Sequence, residues 1–203
     1  MMRFIDFDGT LVDLWPRYYH VFCSLLNIEW VKIDEYKRAK QKLGKDELVA
    51  QYFGKQLGKT YFEEKSIALE EKEFLKYDHL FWKKSEFKEV FEVPQTYILT
   101  KRKNPENFIW ELEMLGVDAR AEIVKGSESK LQWLQEKNYT SHITVAGDSI
   151  MDLETGQMQN AEIVMVGYGL GTREQFNCLQ IPYLYIDNPY KLLKYLTWEN
   201  QNC

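Results

Sequence analysis

The chain opens on a short apolar run, Met2–Phe7, that ends in acidic residues and Gly9. A run of this length bounded by a turn residue predicts a buried strand that delivers side chains to a loop. From Pro16 to about Val90 the period changes to that of a helix. Tyr18, Val21, Phe22 and Leu25 recur at i, i+3, i+4 and i+7, with Leu26 beside them. Leu48, Val49, Tyr52 and Phe53 repeat the pairing after Gly44, and Phe62–Leu75 is charged but helix-forming. This stretch predicts a compact all-helical module of three or four helices.

Strand patterns return at Gln95–Thr100, Ala121–Val124, His142–Ala146, Glu162–Val166 and Tyr183–Ile186. Between them, Asn104-Pro105 supplies an N-cap and first-turn proline for a helix marked by Phe108, Leu112 and Leu115 and stopped by Gly116. Further helices are expected over Glu128–Glu136 and Met151–Met158. Strand–helix alternation of this kind implies a parallel sheet covered on both faces. The expected architecture is therefore a three-layer α/β core, residues 1–14 and 91–203, interrupted after its first strand by a helical insertion over 15–90.

Composition narrows the class. The 203 residues are 45% hydrophobic, 15% aromatic and 28% charged, with a formal net charge of −5. An acidic chain whose densest basic run is Lys101-Arg102-Lys103 lacks the electrostatic footprint of a nucleic-acid binder. Cys23, Cys178 and Cys203 are far apart and odd in number, which argues against a disulfide framework or a zinc site and fits a reducing compartment. With no apolar run of spanning length and no signal peptide before Asp6, the expectation is a cytoplasmic protein without a membrane partner.

Candidate chemistry sits where strands end, which is where ligands gather in open α/β sheets. In Phe4-Ile5-Asp6-Phe7-Asp8-Gly9-Thr10, two carboxylates lie two residues apart beside a turn and can converge on one site. Paired carboxylates divide their roles: an ionised one can attack phosphorus, and a protonated one can donate to a leaving alkoxide. Tyr97-Ile98-Leu99-Thr100-Lys101 ends a strand in a hydroxyl able to bind a phosphoryl oxygen, although a Thr there also reads as a plain cap. Lys130, opening a helix, is a candidate ammonium beside the nucleophile, with Lys125 as the competing choice. In Ala146-Gly147-Asp148-Ser149-Ile150-Met151-Asp152, an apolar strand runs into two carboxylates one helical turn apart. They suit a hard cation, or simply the first turn of a helix.

Taken in order, these segments resemble the four motifs of the haloacid dehalogenase superfamily over roughly Met1–Val12 and Gln95–Thr172. Asp6-Phe7-Asp8-Gly9-Thr10 resembles the first motif, Thr100 the second, Lys130 the third, and Gly147-Asp148-Ser149 with Asp152 the fourth. The resemblance implies a Rossmann-like core with a C1-type helical cap, and phosphatase chemistry with Asp6 as nucleophile and Asp8 as acid–base partner. It implies Mg²⁺ held by the Asp6 carboxylate, the Asp8 main-chain carbonyl and Asp148, with Asp152 in support. Thr100, Lys101 and Lys130 would bind the phosphoryl group. The substrate would be a small phosphorylated metabolite, and the protein a monomer or homodimer. A sugar-phosphate mutase using the same aspartates and a binding protein without turnover are the alternatives. Motif three lacks the Lys-Pro pair of many phosphoglycolate-phosphatase-like members, and the insertion shows no identifiable specificity loop. The three histidines, the tryptophans and Gly167, Gly169 and Gly171 read as structural.

Overall fold

The computed structural model describes residues 1–125, 127–158 and 160–198. The chain divides into two compact units, Met1–Asp13 with His79–Cys203, and Leu14–Asp78.

The first unit is built on strands β1 (Met2–Ile5), β2 (Val12–Asp13), β3 (His79–Leu80), β4 (Thr96–Lys101), β5 (Ala121–Val124), β6 (Ile143–Gly147), β7 (Ala161–Val166) and β8 (Leu184–Ile186). Six of these form a parallel sheet in the order β5-β4-β1-β6-β7-β8, and β2 pairs antiparallel with β3. The side-chain period of two sorts each strand between two apolar layers. Ile5, Ile98, Ala146, Val164 and Val166 lie in one cluster, and Phe4, Leu99, Val145, Ile163 and Met165 in the other. Both faces are covered, which is why these strands read as apolar runs.

The helices of this unit, numbered after the five of the second, are α6 (Lys84–Glu92), α7 (Pro105–Leu115), α8 (Lys130–Lys137), α9 (Ile150–Glu154), α10 (Arg173–Asn177) and α11 (Pro189–Trp198). Phe87, Val90 and Phe91 of α6, Phe108 and Leu112 of α7, and Leu192 and Leu196 of α11 cover the first face. Trp133 and Leu134 of α8, Leu153 of α9 and Phe176 of α10 cover the second. The α6 stripe moves the boundary read at residue 90. Trp82, Phe87, Val90 and Phe91 are apolar, but they belong to a core cluster of the sheet unit, and the helical unit runs from Leu14 to Asp78.

That second unit contains α1 (Trp15–Leu26), α2 (Ile33–Leu43), α3 (Asp46–Tyr52), α4 (Tyr61–Ala68) and α5 (Lys72–Leu75). Phe22, Tyr36 and Phe53 centre its core, with the Phe22 and Tyr36 rings 4.9 Å apart. Five helices rather than three or four appear because α4 and α5 break at Leu69–Glu71 inside one charged stretch. Of the four residues paired after Gly44, Val49 and Phe53 are buried, whereas Leu48 and Tyr52 are exposed. A buried ion pair, Arg17 to Asp78 at 3.3 Å, joins the two ends of the unit.

Cys23 and Cys178 are free thiols, and Cys203 lies outside the described residues. No helix among the described residues is long and apolar enough to cross a membrane.

Candidate active site

Sheet order creates the site. β1 lies between β4 and β6, and all three run parallel, so the chain just past Ile5, Thr100 and the Gly147–Asp148 step share one edge. Asp6 extends the ladder by donating its backbone N–H to Ala146 O at 2.8 Å. The chain then turns tightly, with the N–H groups of Thr10, Leu11 and Val12 all directed at Phe7 O. Gly9 makes the turn possible: its φ is +73°, and a Cβ there would collide with the Asp148 carboxylate.

Three carboxylates converge. Asp6, Asp148 and Asp152 each present an oxygen within 4.8 Å of the others, at 7%, 4% and 0% exposure. Lys130 is buried among them, with Nζ 2.6 Å from Asp6 Oδ1 and 2.6 Å from Asp152 Oδ1. Of the two lysines weighed from the sequence, Lys130 lies inside this cluster, whereas Lys125 is exposed. Ser129 explains the placement. Its hydroxyl accepts from Gln132 N–H, capping α8 so that Lys130 becomes the first helical residue.

Asp152 has a second duty. Its Oδ2 accepts the Ser149 N–H at 3.0 Å, while Ser149 Oγ caps α9 in return. Asp148 Oδ2 accepts the Leu170 N–H at 2.6 Å, and Gly169 packs so closely that a Cβ would strike the same carboxylate. The glycine-rich loop after β7 is thus a wrapping for Asp148. Tyr168 pins it by donating its hydroxyl to Thr10 O at 3.0 Å.

The electrostatics follow from crowding. Burial, then the Asp152 carboxylate, raise Asp6 well above the usual carboxylate range against the pull of Lys130. Burial and Asp152 push Asp148 up to about 7, although the Leu170 N–H pulls it down. Burial opposes the charge on Lys130, but Asp152 and Asp6 outweigh it and hold the ammonium above its ordinary range. One ammonium does not balance three buried carboxylates. A hard cation accepting oxygen donors would, and this donor set fits one.

The other expected residues divide. Thr100 is buried at the end of β4, in register with Ile123 of β5. Lys101, one residue on, has the opposite orientation and donates its ammonium to Glu128 O at 2.8 Å. The Asp8 side chain is not one of the three clustered carboxylates. Its Oδ1 accepts from Arg102 Nη2 at 2.9 Å, and the same nitrogen donates to buried Glu111 at 2.8 Å. Arg102 and Glu111 escaped the motif reading, yet a signal exists. Glu111 falls at i+3 from Phe108 on the inward stripe of α7, where an unpaired charge is costly.

No protein-family model matches the chain, and no curated protein does. Solved structures match over nearly the whole length. A haloacid dehalogenase-like family hydrolase from Streptococcus pneumoniae is 19% identical, with a TM-score of 0.62 over 96% of this chain and 97% of that one. A predicted phosphoglycolate phosphatase from Haemophilus somnus is 17% identical, with a TM-score of 0.65 over 96% of each chain. A predicted phosphatase from Clostridium acetobutylicum is 15% identical, with a TM-score of 0.61 over 96% of this chain and 97% of that one. The chain therefore has the haloacid dehalogenase-like fold, an α/β Rossmann-like core with a parallel sheet between helices.

Proposed function

We propose that this chain is a Mg²⁺-dependent phosphatase that hydrolyses a small phosphorylated metabolite through an aspartyl-phosphate on Asp6. The observation that carries this reading is the buried Asp6–Lys130 pair within one cluster with Asp148 and Asp152. The fold shared with proteins named as hydrolases and phosphatases supports it.

Asp6 is the nucleophile, and Lys130 holds its carboxylate in place while offsetting charge that builds on the phosphoryl oxygens. Thr100 donates its hydroxyl to one of those oxygens. Asp8, off the cation cluster, serves as acid and then base. The Asp6 carboxylate, the Asp8 main-chain carbonyl and Asp148 would hold Mg²⁺, with Asp152 supporting. When bound, Mg²⁺ supplies Lewis-acid stabilisation of phosphoryl charge and offsets its repulsion from Asp6. The inserted helical unit serves as the C1-type cap that selects the substrate.

The direct test is phosphate release from a panel of phosphorylated metabolites and p-nitrophenyl phosphate. Release is expected with Mg²⁺, is lost on chelation, and returns when Mg²⁺ is added back. A purified, folded protein that binds Mg²⁺ but releases no phosphate from any of them would sink the proposal.

Cation binding should also depend on pH in a defined direction. An unfolded Asp titrates near 4, whereas folded Asp148 titrates at about 7. Between these values the folded state holds the extra proton, so without cation this group's contribution to stability declines as pH rises through that window. Bound Mg²⁺ needs the ionised form, so its effect has the opposite slope. Expected in differential scanning fluorimetry is a Mg²⁺-induced rise in Tm that is larger at pH 8 than at pH 6. Equal increments at the two pH values would separate Asp148 from the cation.

A further inference from the structure

The roles assigned so far leave Arg102 and Glu111 unused. Arg102 is 3% exposed and Glu111 fully buried. The guanidinium is held by Glu111 at 2.8 Å, with the Phe108 ring at 5.2 Å and the Phe7 ring at 5.9 Å from its centre. Burial of Glu111 accounts for the Arg102–Glu111 pair on structural grounds, because a lone buried carboxylate is heavily penalised. It does not account for Asp8. That side chain is 25% exposed, so water can solvate it, and Arg102 already has a carboxylate partner.

What the contact to Asp8 does accomplish is orientation. A carboxyl group tied through Oδ1 to an immobile guanidinium loses its rotation about Cβ–Cγ. We propose that Arg102 is a positioning residue, held by Glu111 and the two phenyl rings, that aims the Asp8 carboxyl at the ester oxygen and so equips the enzyme for unactivated alkyl phosphates. The inference rests on the phosphatase reading above and names the class of ester it serves.

The chemistry shows why aim matters. An Asp6 carboxylate oxygen forms a bond to phosphorus as the P–O bond to the alcohol breaks. The Asp8 proton passes to the departing oxygen, which leaves as a neutral alcohol. In the second half, Asp8 takes a proton from water. The water oxygen bonds to phosphorus and the Asp6–phosphorus bond breaks, returning Asp6 as carboxylate, Asp8 as acid and phosphate as product. A nitrophenolate departs without that proton. An alkoxide does not.

The test compares kcat/KM for p-nitrophenyl phosphate and benzyl phosphate, since this parameter includes departure of the alcohol. Arg102→Met is expected to lose about 30-fold more on benzyl phosphate than on the aryl ester, in line with loss of an aimed general acid. Arg102→Lys, which keeps the charge, should recover part of that difference. Should Arg102→Met fail to fold, Arg102→Met/Glu111→Met removes both buried charges and must show the same selective loss. Equal losses on the two esters, with the unaltered protein active on both, overturn the positioning role and leave the phosphatase reading intact. If the unaltered protein releases phosphate from neither ester nor from the metabolite panel, that reading falls and this inference falls with it.

Discussion

Asp6→Asn is expected to lower turnover by roughly 10⁴-fold or more while leaving the metal-free protein at least as stable at pH 8. The first half follows from chemistry. An amide oxygen carries no full charge and cannot form the acyl-phosphate that a carboxylate forms. The second half follows from the site's electrostatics. Burial and Asp152 raise Asp6 well above the usual carboxylate range, so ionising it in the fold costs more than ionising it in the unfolded chain. Above its unfolded value that cost counts against the folded state, and a neutral amide of similar shape removes it. Lys130 keeps Asp152 as a partner in the variant. Single-turnover phosphate release and a thermal melt at pH 8 read the two halves separately. Substantial turnover would remove Asp6 from its role, and a large drop in Tm would mean that its charge supports the fold.

Lys130→Met carries the second large effect, on turnover and on stability alike. The ammonium is the cation that contacts both Asp6 and Asp152, at 2.6 Å each. Breaking a buried ion pair by removing one partner costs about 3–5 kcal/mol. For a chain of this size that corresponds to a fall in Tm of about 6–20 °C. Turnover should drop about 10²–10³-fold through lost charge stabilisation. The pH dependence distinguishes charge from packing. At pH 8 Asp148, which burial pushes up to about 7, must ionise without the ammonium that favours its charge, whereas at pH 6 it keeps its proton, so the deficit should shrink on acidification. Melting curves of the variant and the parent at both pH values decide the matter. An equal deficit at pH 6 and pH 8 would assign the effect to the aliphatic stem of Lys130.

Much of the core was legible from local pattern. Apolar strands and the helix starts at Asn104-Pro105 and Lys130 are properties of a few consecutive residues, and each appears at the expected place. The Asp-x-Asp-Gly turn was legible for the same reason, because Gly9 needs a positive φ that few other residues tolerate. The helical unit was harder. Its apolar spacing continues without interruption into α6, and only partners distinguish Phe87 under the sheet from Phe53 in the helical core.

By itself the sequence determined the alternation of strands and helices, the turn at Gly9 and the set of residues able to do chemistry, because backbone preference and side-chain type are local quantities. Tertiary structure alone decided which of those residues meet. The order β4-β1-β6 brings Asp6 to Asp148, the capped start of α8 selects Lys130 over exposed Lys125, and the cluster takes in Asp152 while Asp8 turns to Arg102. Each of these depends on distances between segments remote in the chain and on the burial they create, and only then do the charges shift one another.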